Sequence, residues 1–537
     1  MQERPKTVFM EKTRGTDDRL EAGAPESSLR DWIAASAERF PDKPFIHGID
    51  QEKSIAYGQL REVCDRMAQY LRARGIGAND RIAMLSNNSI EHLCAYIGVM
   101  AYGATICTIH VEMNAVYFEQ ILNALKPKLT LFDDSEERID VDRLNAATPG
   151  DWLPLGRWHA DFMSTGFYGE IEQMAPNPVE PVSRREDDAS IYYTSGTASA
   201  PKGCIVTFRE LIENTPPTAD ALGLTADDRI LEFRAFNWIS AQVLSGLGPL
   251  YKGATVILAR RFSQSRYFDW VKKYGATIGV CNPTGLAMFL NRPIAVSHAD
   301  IPHLRFMTSS SAPLMPETWR QFEDRYGVPV AQGYGCSEIG WIAVTNEKTR
   351  RFGTVGRPLD YHKLAIVDQD GREVPRGEVG EIELGGFERN LYRYLDEAGE
   401  EKIHARDRLR TGDLGVMDEE GYVRVTGRAK DLIIRGGVNI SPAEVDNILL
   451  KMPALAEAAT IGVPDPIYGE EVVCFVAPRA GQAITADQVL AHCSDKLPEF
   501  RMPKHVIVRD RLPKTERGKM HRVQLLDEWK AEFGGRK

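Results

Sequence analysis

Tyr192-Tyr193-Thr194-Ser195-Gly196-Thr197-Ala198-Ser199-Ala200-Pro201-Lys202-Gly203 sets hydroxyls at Thr194, Ser195 and Thr197, glycines at Gly196 and Gly203, and a cation at Lys202. Glycine admits positive φ and lets a backbone come close to a ligand. Successive N–H groups can then turn to one side and line an anion-binding hollow. With hydroxyl donors and an ammonium beside it, the stretch reads as a cradle for a polyphosphate. A P-loop requires Gly-x-x-x-x-Gly-Lys and then Ser or Thr at the head of a helix. Here Pro201 stands at the second glycine and Gly203 at the metal-binding hydroxyl, so that reading fails. Taken by itself, the stretch could also be a surface loop of small polar residues.

A chain of 537 residues exceeds one ordinary core, so two or more domains are expected. The formal charge of -10 argues against a general nucleic-acid or anionic-membrane surface, though not against a local basic site. The cysteines (64, 94, 107, 204, 281, 336, 474, 493) are scattered with no Cys-x-x-Cys pair. That pattern excludes a zinc or disulfide framework and suits a reducing cytoplasm. The first 26 residues are polar and charge-rich, without the apolar core of a signal peptide, and read as a loose arm. Leu93 to Ile109 is uncharged but short of a membrane span and interrupted by Gly98 and Gly103. A buried helix followed by a buried strand is the expectation.

Local patterns give the architecture. Ser28-Leu29-Arg30-Asp31 is a helix-start box. A strand is predicted near Pro44–His47, and Leu60, Val63, Cys64, Met67, Ala68 and Leu71 recur at helical spacing, with Gly75 placed to end that helix. Arg81–Leu85 and Thr105–Ile109 read as strands around a helix capped at Asn87–Ser89. Strand, helix, strand implies a parallel crossover and therefore an α/β sheet. Ser441-Pro442-Ala443-Glu444 combines an N-cap serine, proline at the first helical position and glutamate at the third. A new unit starting there predicts a domain boundary near 430.

The cradle resembles the phosphate-binding signature of the adenylate-forming superfamily (acyl-CoA synthetases, adenylation domains, luciferases), departing from it at Ala198 and Ser199. Further signatures follow in that family's order. Ser309-Ser310-Ser311-Ala312-Pro313 resembles the small-residue adenine shelf, with Ser311 in place of glycine. Gln332-Gly333-Tyr334-Gly335-Cys336-Ser337-Glu338 is similar to Tyr-Gly-x-Thr-Glu. Thr411-Gly412-Asp413 and Gly427-Arg428 resemble the ribose-binding pair, and Ala429-Lys430-Asp431 the interdomain hinge. Pro513-Lys514-Thr515 with Gly518-Lys519 resembles the last signature.

The resemblance implies an α/β fold: a large N-terminal domain of packed parallel sheets and helices with a β-rich subdomain (27–429), and a small mobile α+β C-terminal domain (430–537) pivoting at Lys430. It implies that Thr194, Ser195, Gly196, Thr197 and Lys202 hold ATP phosphates, and that Ser311, Ala312, Pro313, Gly333 and Tyr334 take adenine. Ser337 then donates to the α-phosphate, while Asp413 and Arg428 hold ribose. Glu338 supplies a hard oxygen for Mg²⁺, which prefers few protein ligands plus phosphate oxygens. Lys519 becomes the adenylation lysine and Gly436 and Gly437 line a channel for coenzyme A. Trp238, Asn282 and Gly335 line the acyl pocket, where an indole shortens the space and a buried amide seeks partners. The expected reaction is ATP-dependent conversion of a short or compact, hydroxylated or branched, carboxylic acid to acyl-AMP, then transfer to coenzyme A. A stand-alone enzyme loading a carrier protein and a non-catalytic nucleotide- or acyl-binding relative are the alternatives.

Overall fold

The computed structural model describes residues 28–160, 163–194, 202–385, 391–405, 408–515 and 519–533. One eight-stranded sheet runs, edge to edge, through Gly340–Val344, Val330–Cys336, Phe306–Ser309, Ile278–Cys281, Arg229–Glu232, Thr255–Leu258, Pro44–Gly48 and Lys53–Ala56. Its inner strands are parallel and its two edge strands antiparallel. A second eight-stranded sheet runs through Glu401–Ala405, Leu391–Leu395, Lys202–Thr207, Asp188–Thr194, Thr105–Ile109, Arg81–Leu85, Leu129–Phe132 and Asp151–Pro154. It is parallel from Asp188–Thr194 to Asp151–Pro154 and antiparallel in the rest.

One apolar core joins the two sheets. Phe45 and Ile46 of the first and Ile82, Met84 and Ile106 of the second share it with helices Leu29–Arg39, Tyr57–Ala73 and Ile90–Tyr102. The uncharged run resolves as expected: every residue of Ile90–Tyr102 and of Thr105–Ile109 is buried. From Leu93 onward the helix is apolar on all sides and has to be enclosed by protein. Among the described residues no helix is long and apolar enough to cross a membrane. Gly103, at φ 102°, turns the chain from this helix to the strand. The starting box is also present, Asp31 accepting from the Ser28 N–H at 2.6 Å.

A four-stranded antiparallel sheet follows, Lys363–Val367, Gly380–Gly385, Arg408–Met417 and Val423–Arg428. One turn, Ala429–Asp431, then leads into a separate five-stranded sheet of Val438–Ile440, Ile433–Arg435, Gly469–Pro478, Leu455–Asp465 and His505–Val508. Along Gly469–Pro478 the side chains alternate between two cores, as a strand's period of two dictates. Val472, Cys474 and Val476 pack under helices Pro442–Leu449 and Ala486–Ser494, while Val473 and Phe475 pack under Arg522–Phe533. Cores of its own make this segment a domain.

The helix start at Ser441 holds, but not its chemistry. The Ser441 hydroxyl makes no cap; it donates to the Thr426 carbonyl at 2.6 Å, and Glu444 pairs with Arg501 at 2.9 Å instead of reaching back. The hydroxyl thus serves the chain before the turn. Replacement of Gly103 by alanine tests the crossover, because a Cβ there would lie 2.6 Å from the Ser183 nitrogen at a left-handed φ. Gly103→Ala is expected to lower stability by more than about 1 kcal/mol in urea denaturation.

Candidate active site

The signature residues gather where parallel strands end. Ser310 and Ser311 follow Phe306–Ser309, Asn282 follows Ile278–Cys281, and Arg234 to Trp238 follow Arg229–Glu232. From the other sheet, Thr194 closes Asp188–Thr194 and His110 follows Thr105–Ile109. The carboxyl ends of parallel strands are where open α/β sheets hold ligands. Ser195, Gly196 and Thr197 lie outside the described residues. Thr194 and Lys202, which flank them, are cross-strand partners, with Lys202 exposed. On strand Lys202–Thr207 the Cys204 thiol donates to the Ser337 carbonyl at 3.5 Å, which brings that strand to the turn bearing Glu338.

Glu338 is half-buried and accepts from the Tyr394 hydroxyl at 2.8 Å. Burial, and Glu338 beside it, push the Tyr394 hydroxyl far above the usual tyrosine range, so Tyr394 remains a donor. Among the described residues no lysine, arginine or histidine forms an ion pair with Glu338. A half-buried carboxylate held by the Tyr394 hydroxyl and the Cys336 thiol, with no ion-pair partner among the described residues, fits a site for a hard dication. The described residues contain no group of three His, Cys, Asp or Glu that could cage a metal.

Asp413 is buried, and both of its oxygens are in use. Oδ2 accepts from the Tyr334 hydroxyl at 2.8 Å and Oδ1 pairs with Arg428 Nε at 2.9 Å. Arg428 faces it across the ladder, immediately before the register shifts at Leu414 and Gly415. A bulge of this kind twists a strand and re-aims its side chains. Each carboxylate oxygen can accept more than one hydrogen bond, so the pair can still receive a diol. Burial, then Asp413, holds the Tyr334 hydroxyl protonated.

Several assigned residues have local reasons for their identity. A Cβ on Gly333 would meet the Trp341 ring at 2.4 Å, and one on Gly335 would meet the Gly340 carbonyl at 2.2 Å. The neighbouring strand Gly340–Val344 therefore demands these glycines before any ligand does. Gly436 and Gly437 form the hairpin turn between Ile433–Arg435 and Val438–Ile440, both at positive φ and both exposed. Asn282 is half-buried rather than buried, and its Oδ1 accepts from the Gly285 N–H at 2.8 Å as the cap of helix Pro283–Asn291. Ahead of a proline at the first helical position, an asparagine oxygen satisfies a backbone donor at little cost. Trp238 is half-buried, its ring 6.0 Å from that of His110. Ser311 holds φ 74°, beside half-buried Ala312 and exposed Pro313.

On the C-terminal domain, Lys519 is half-buried; its N–H donates to the Thr515 hydroxyl at 3.2 Å and its carbonyl accepts from the Thr515 N–H at 2.8 Å. The other lysine of that signature, Lys514, is held by Glu457. Lys430 sits in the exposed turn Ala429–Asp431.

Three features escape a reading of the sequence. Tyr394 reaches Glu338 from a distant strand. Arg234 forms a buried bidentate pair with Glu232, with Nη2 2.7 Å from Oε2, and its Nη1 donates to the Ser310 hydroxyl at 3.0 Å. Asn237 is buried with both amide atoms lacking a hydrogen-bond partner among the described residues, as does Oε1 of buried Gln242, the first residue of a π-helical turn, Gln242–Leu247. A π-turn inside a helical stretch is a frequent mark of a functional site, and in the sequence only the polar residues of an otherwise apolar run hint at it. Ser311→Gly should relieve the left-handed strain and raise stability by about 0.5–1 kcal/mol in thermal or urea unfolding.

The chain matches the family described as AMP-binding enzyme over residues 33–389 and AMP-binding enzyme C-terminal domain over 444–519. It is 32% identical to a sulfoacetate–CoA ligase of Cupriavidus necator, covering 93% of this chain and 97% of that protein. An oxalate–CoA ligase of Arabidopsis thaliana is 30% identical, with 90% and 95% covered. ATP-bound MatB from Rhodopseudomonas palustris, 27% identical, superposes with a TM-score of 0.83 over 94% of this chain and 99% of that one. Against apo MatB the score is 0.74 over the same shares, at 26% identity.

Proposed function

Since the chain belongs to the AMP-binding enzyme family, we propose that it joins a compact carboxylic acid to coenzyme A through an acyl-adenylate. The reaction class is that of an acid–thiol ligase using ATP, Mg²⁺ and coenzyme A. In the first step a carboxylate oxygen bonds to the α-phosphorus of ATP and pyrophosphate leaves. In the second the thiol sulfur, giving up its proton, bonds to the acyl carbon and AMP leaves. The observation that carries the nucleotide reading is Asp413, buried between Arg428 and Tyr334, the latter on the strand that leads to Glu338.

Tyr334 would lie along adenine, with Ser311, Ala312 and Pro313 as the facing shelf. Asp413 and Arg428 would take the ribose, and Ser337 would donate to the α-phosphate. The N–H groups of 194–197 and Lys202 would cradle the remaining phosphates. Mg²⁺, when bound, supplies positive charge across the phosphates, and Glu338 oriented by Tyr394 would hold it. Lys519 would bring its ammonium between the acid and the α-phosphate, where charge builds up on phosphorus. Rotation about Lys430 would withdraw Lys519 and turn the Gly436–Gly437 hairpin toward the thiol.

A compact acid bearing a neutral polar group is favoured by the residues at the acyl end. Asn237 and Gln242 leave buried amide atoms without partners among the described residues, and such atoms are costly unless something pairs with them. Charge there is balanced: Glu232 neutralises Arg234, and burial holds the His92 imidazole down at about 3, hence neutral. The free cysteines, all but Cys336 buried, favour a cytoplasmic setting.

Lys519→Ala should reduce acid-dependent ATP–pyrophosphate exchange by about 100-fold or more while sparing thioester formation from supplied acyl-AMP. Equal loss of both half-reactions would remove Lys519 from that role. Lys430→Pro should do the reverse, as proline fixes φ at the pivot; an unimpaired thioester step would take the pivot away from Lys430.

A further inference from the structure

Arg479 lies just beyond strand Gly469–Pro478 of the C-terminal domain and reaches into the N-terminal one. Its Nη1 donates to Asn291 Oδ1 and its Nη2 to Gln321 Oε1, each at 2.9 Å. Inside its own domain it is braced: Nε donates to the Pro453 carbonyl at 2.9 Å and the backbone N–H to the Ala454 carbonyl at 2.8 Å. Gln321 is itself oriented, its amide donating to Glu317 Oε1 at 2.9 Å, which aims its oxygen at the guanidinium.

This contact has an unusual chemistry. An arginine remains charged in proteins, and its planar fork suits carboxylates. Among the described residues Arg479 has no carboxylate within ion-pair range; both of its cross-domain acceptors are neutral amides. Burial without a counter-charge disfavours the cation, pushing its pKa below the ordinary arginine value. A contact of charged hydrogen bonds to neutral acceptors gives direction and some strength, while releasing the guanidinium to water recovers its hydration. Such a contact can hold one domain orientation and still be broken in each turnover.

The acceptors lie on elements that begin at the site. Helix Pro283–Asn291 starts at Asn282 and ends at Asn291; helix Pro316–Tyr326 follows the Ser311–Pro313 shelf and carries Gln321. In the orientation that Arg479 bridges, the Gly436–Gly437 hairpin and its neighbours Ile434, Ile467 and Tyr468 face solvent, whereas Lys519 is half-buried. The overall arrangement is also closer to the ATP-bound than to the apo form of the same structural neighbour.

We propose that Arg479 is a positioning residue for the first half-reaction, a reversible latch that holds the Lys519-bearing domain in the adenylating orientation through Asn291 and Gln321. The proposal rests on the reading of Lys519 given above. It needs no contact between Arg479 and either substrate.

Arg479→Met keeps the apolar stem and removes the fork. Asn291→Asp gives the fork a carboxylate. Both are compared with the full-length wild-type protein, using whichever of oxalate, sulfoacetate, benzoate and indole-3-acetate supports the fastest ATP–pyrophosphate exchange. Arg479→Met should slow exchange about tenfold without slowing thioester formation from supplied acyl-AMP, since a charged hydrogen bond shifts a two-state population by that order. Asn291→Asp should act oppositely, keeping exchange within about twofold and slowing the thioester step about tenfold. Distance distributions between spin labels attached at Asp324 and Asp487 read the orientation without any turnover. They should broaden in Arg479→Met and narrow in Asn291→Asp. Equal losses of both half-reactions in Arg479→Met, or distributions that neither variant changes, would overturn the latch. If the distributions change as stated while Lys519→Ala leaves exchange intact, the latch stands as a domain contact and the role given to Lys519 falls.

Discussion

Asp413 holds three parts of the molecule in one place. Its carboxylate is shared between Tyr334, at the end of a parallel strand in the large sheet, and Arg428, the last residue of the antiparallel sheet before the interdomain turn. Charge-assisted hydrogen bonds of this sort are shorter and stronger than neutral ones, and here the carboxylate is buried. The end of strand Val330–Cys336 and the root of the C-terminal domain are therefore tied to the same pair of oxygens. Removing either partner would leave a buried charge half satisfied, which costs more than the contact contributes.

Around that point the site is assembled from strand ends, and two sheets are needed because no single one presents enough of them. The enclosed helix Ile90–Tyr102 makes the arrangement possible. Buried on every side, it belongs to the core that both sheets share, and so fixes the spacing between their carboxyl edges. Loops at those edges can carry strain that a packed interior would not tolerate. Ser311, left-handed without being glycine, is one case; the amide of Asn237, unpartnered among the described residues, is another. Strain and unsatisfied groups concentrate at functional sites because a ligand can compensate for them there.

The two domains are joined by chemistry of a different strength from that inside either one. Within the C-terminal domain Arg522 pairs with buried Asp446, and Arg435 with buried Glu471. Across the boundary Arg479 meets amides and Ser441 meets a backbone carbonyl. Ion pairs with buried partners keep a domain intact, while contacts to neutral acceptors can be separated without exposing an unmatched carboxylate.

Much of this could be read from the chain because much of it is local. Period and capping placed Arg81–Leu85, Thr105–Ile109 and the helix after Ser28, since those preferences depend on neighbours within one or two turns. The same logic found the start of the helix at Pro442 but misjudged what Ser441 does there, because its acceptor lies on strand Val423–Arg428. It assigned Asn282 to a pocket where the structure uses its oxygen first as a cap, and it credited Gly333 and Gly335 to a ligand where Trp341 and Gly340 already require them. Tyr394 on Glu338, Arg234 on Ser310 and Arg479 across the boundary had no signal at all. The order of short motifs determined the reaction class and the run of strands and helices, because each motif's chemistry is carried by adjacent residues. Which side chains orient those motifs was decided only by tertiary structure, since packing brings together groups that no local rule connects.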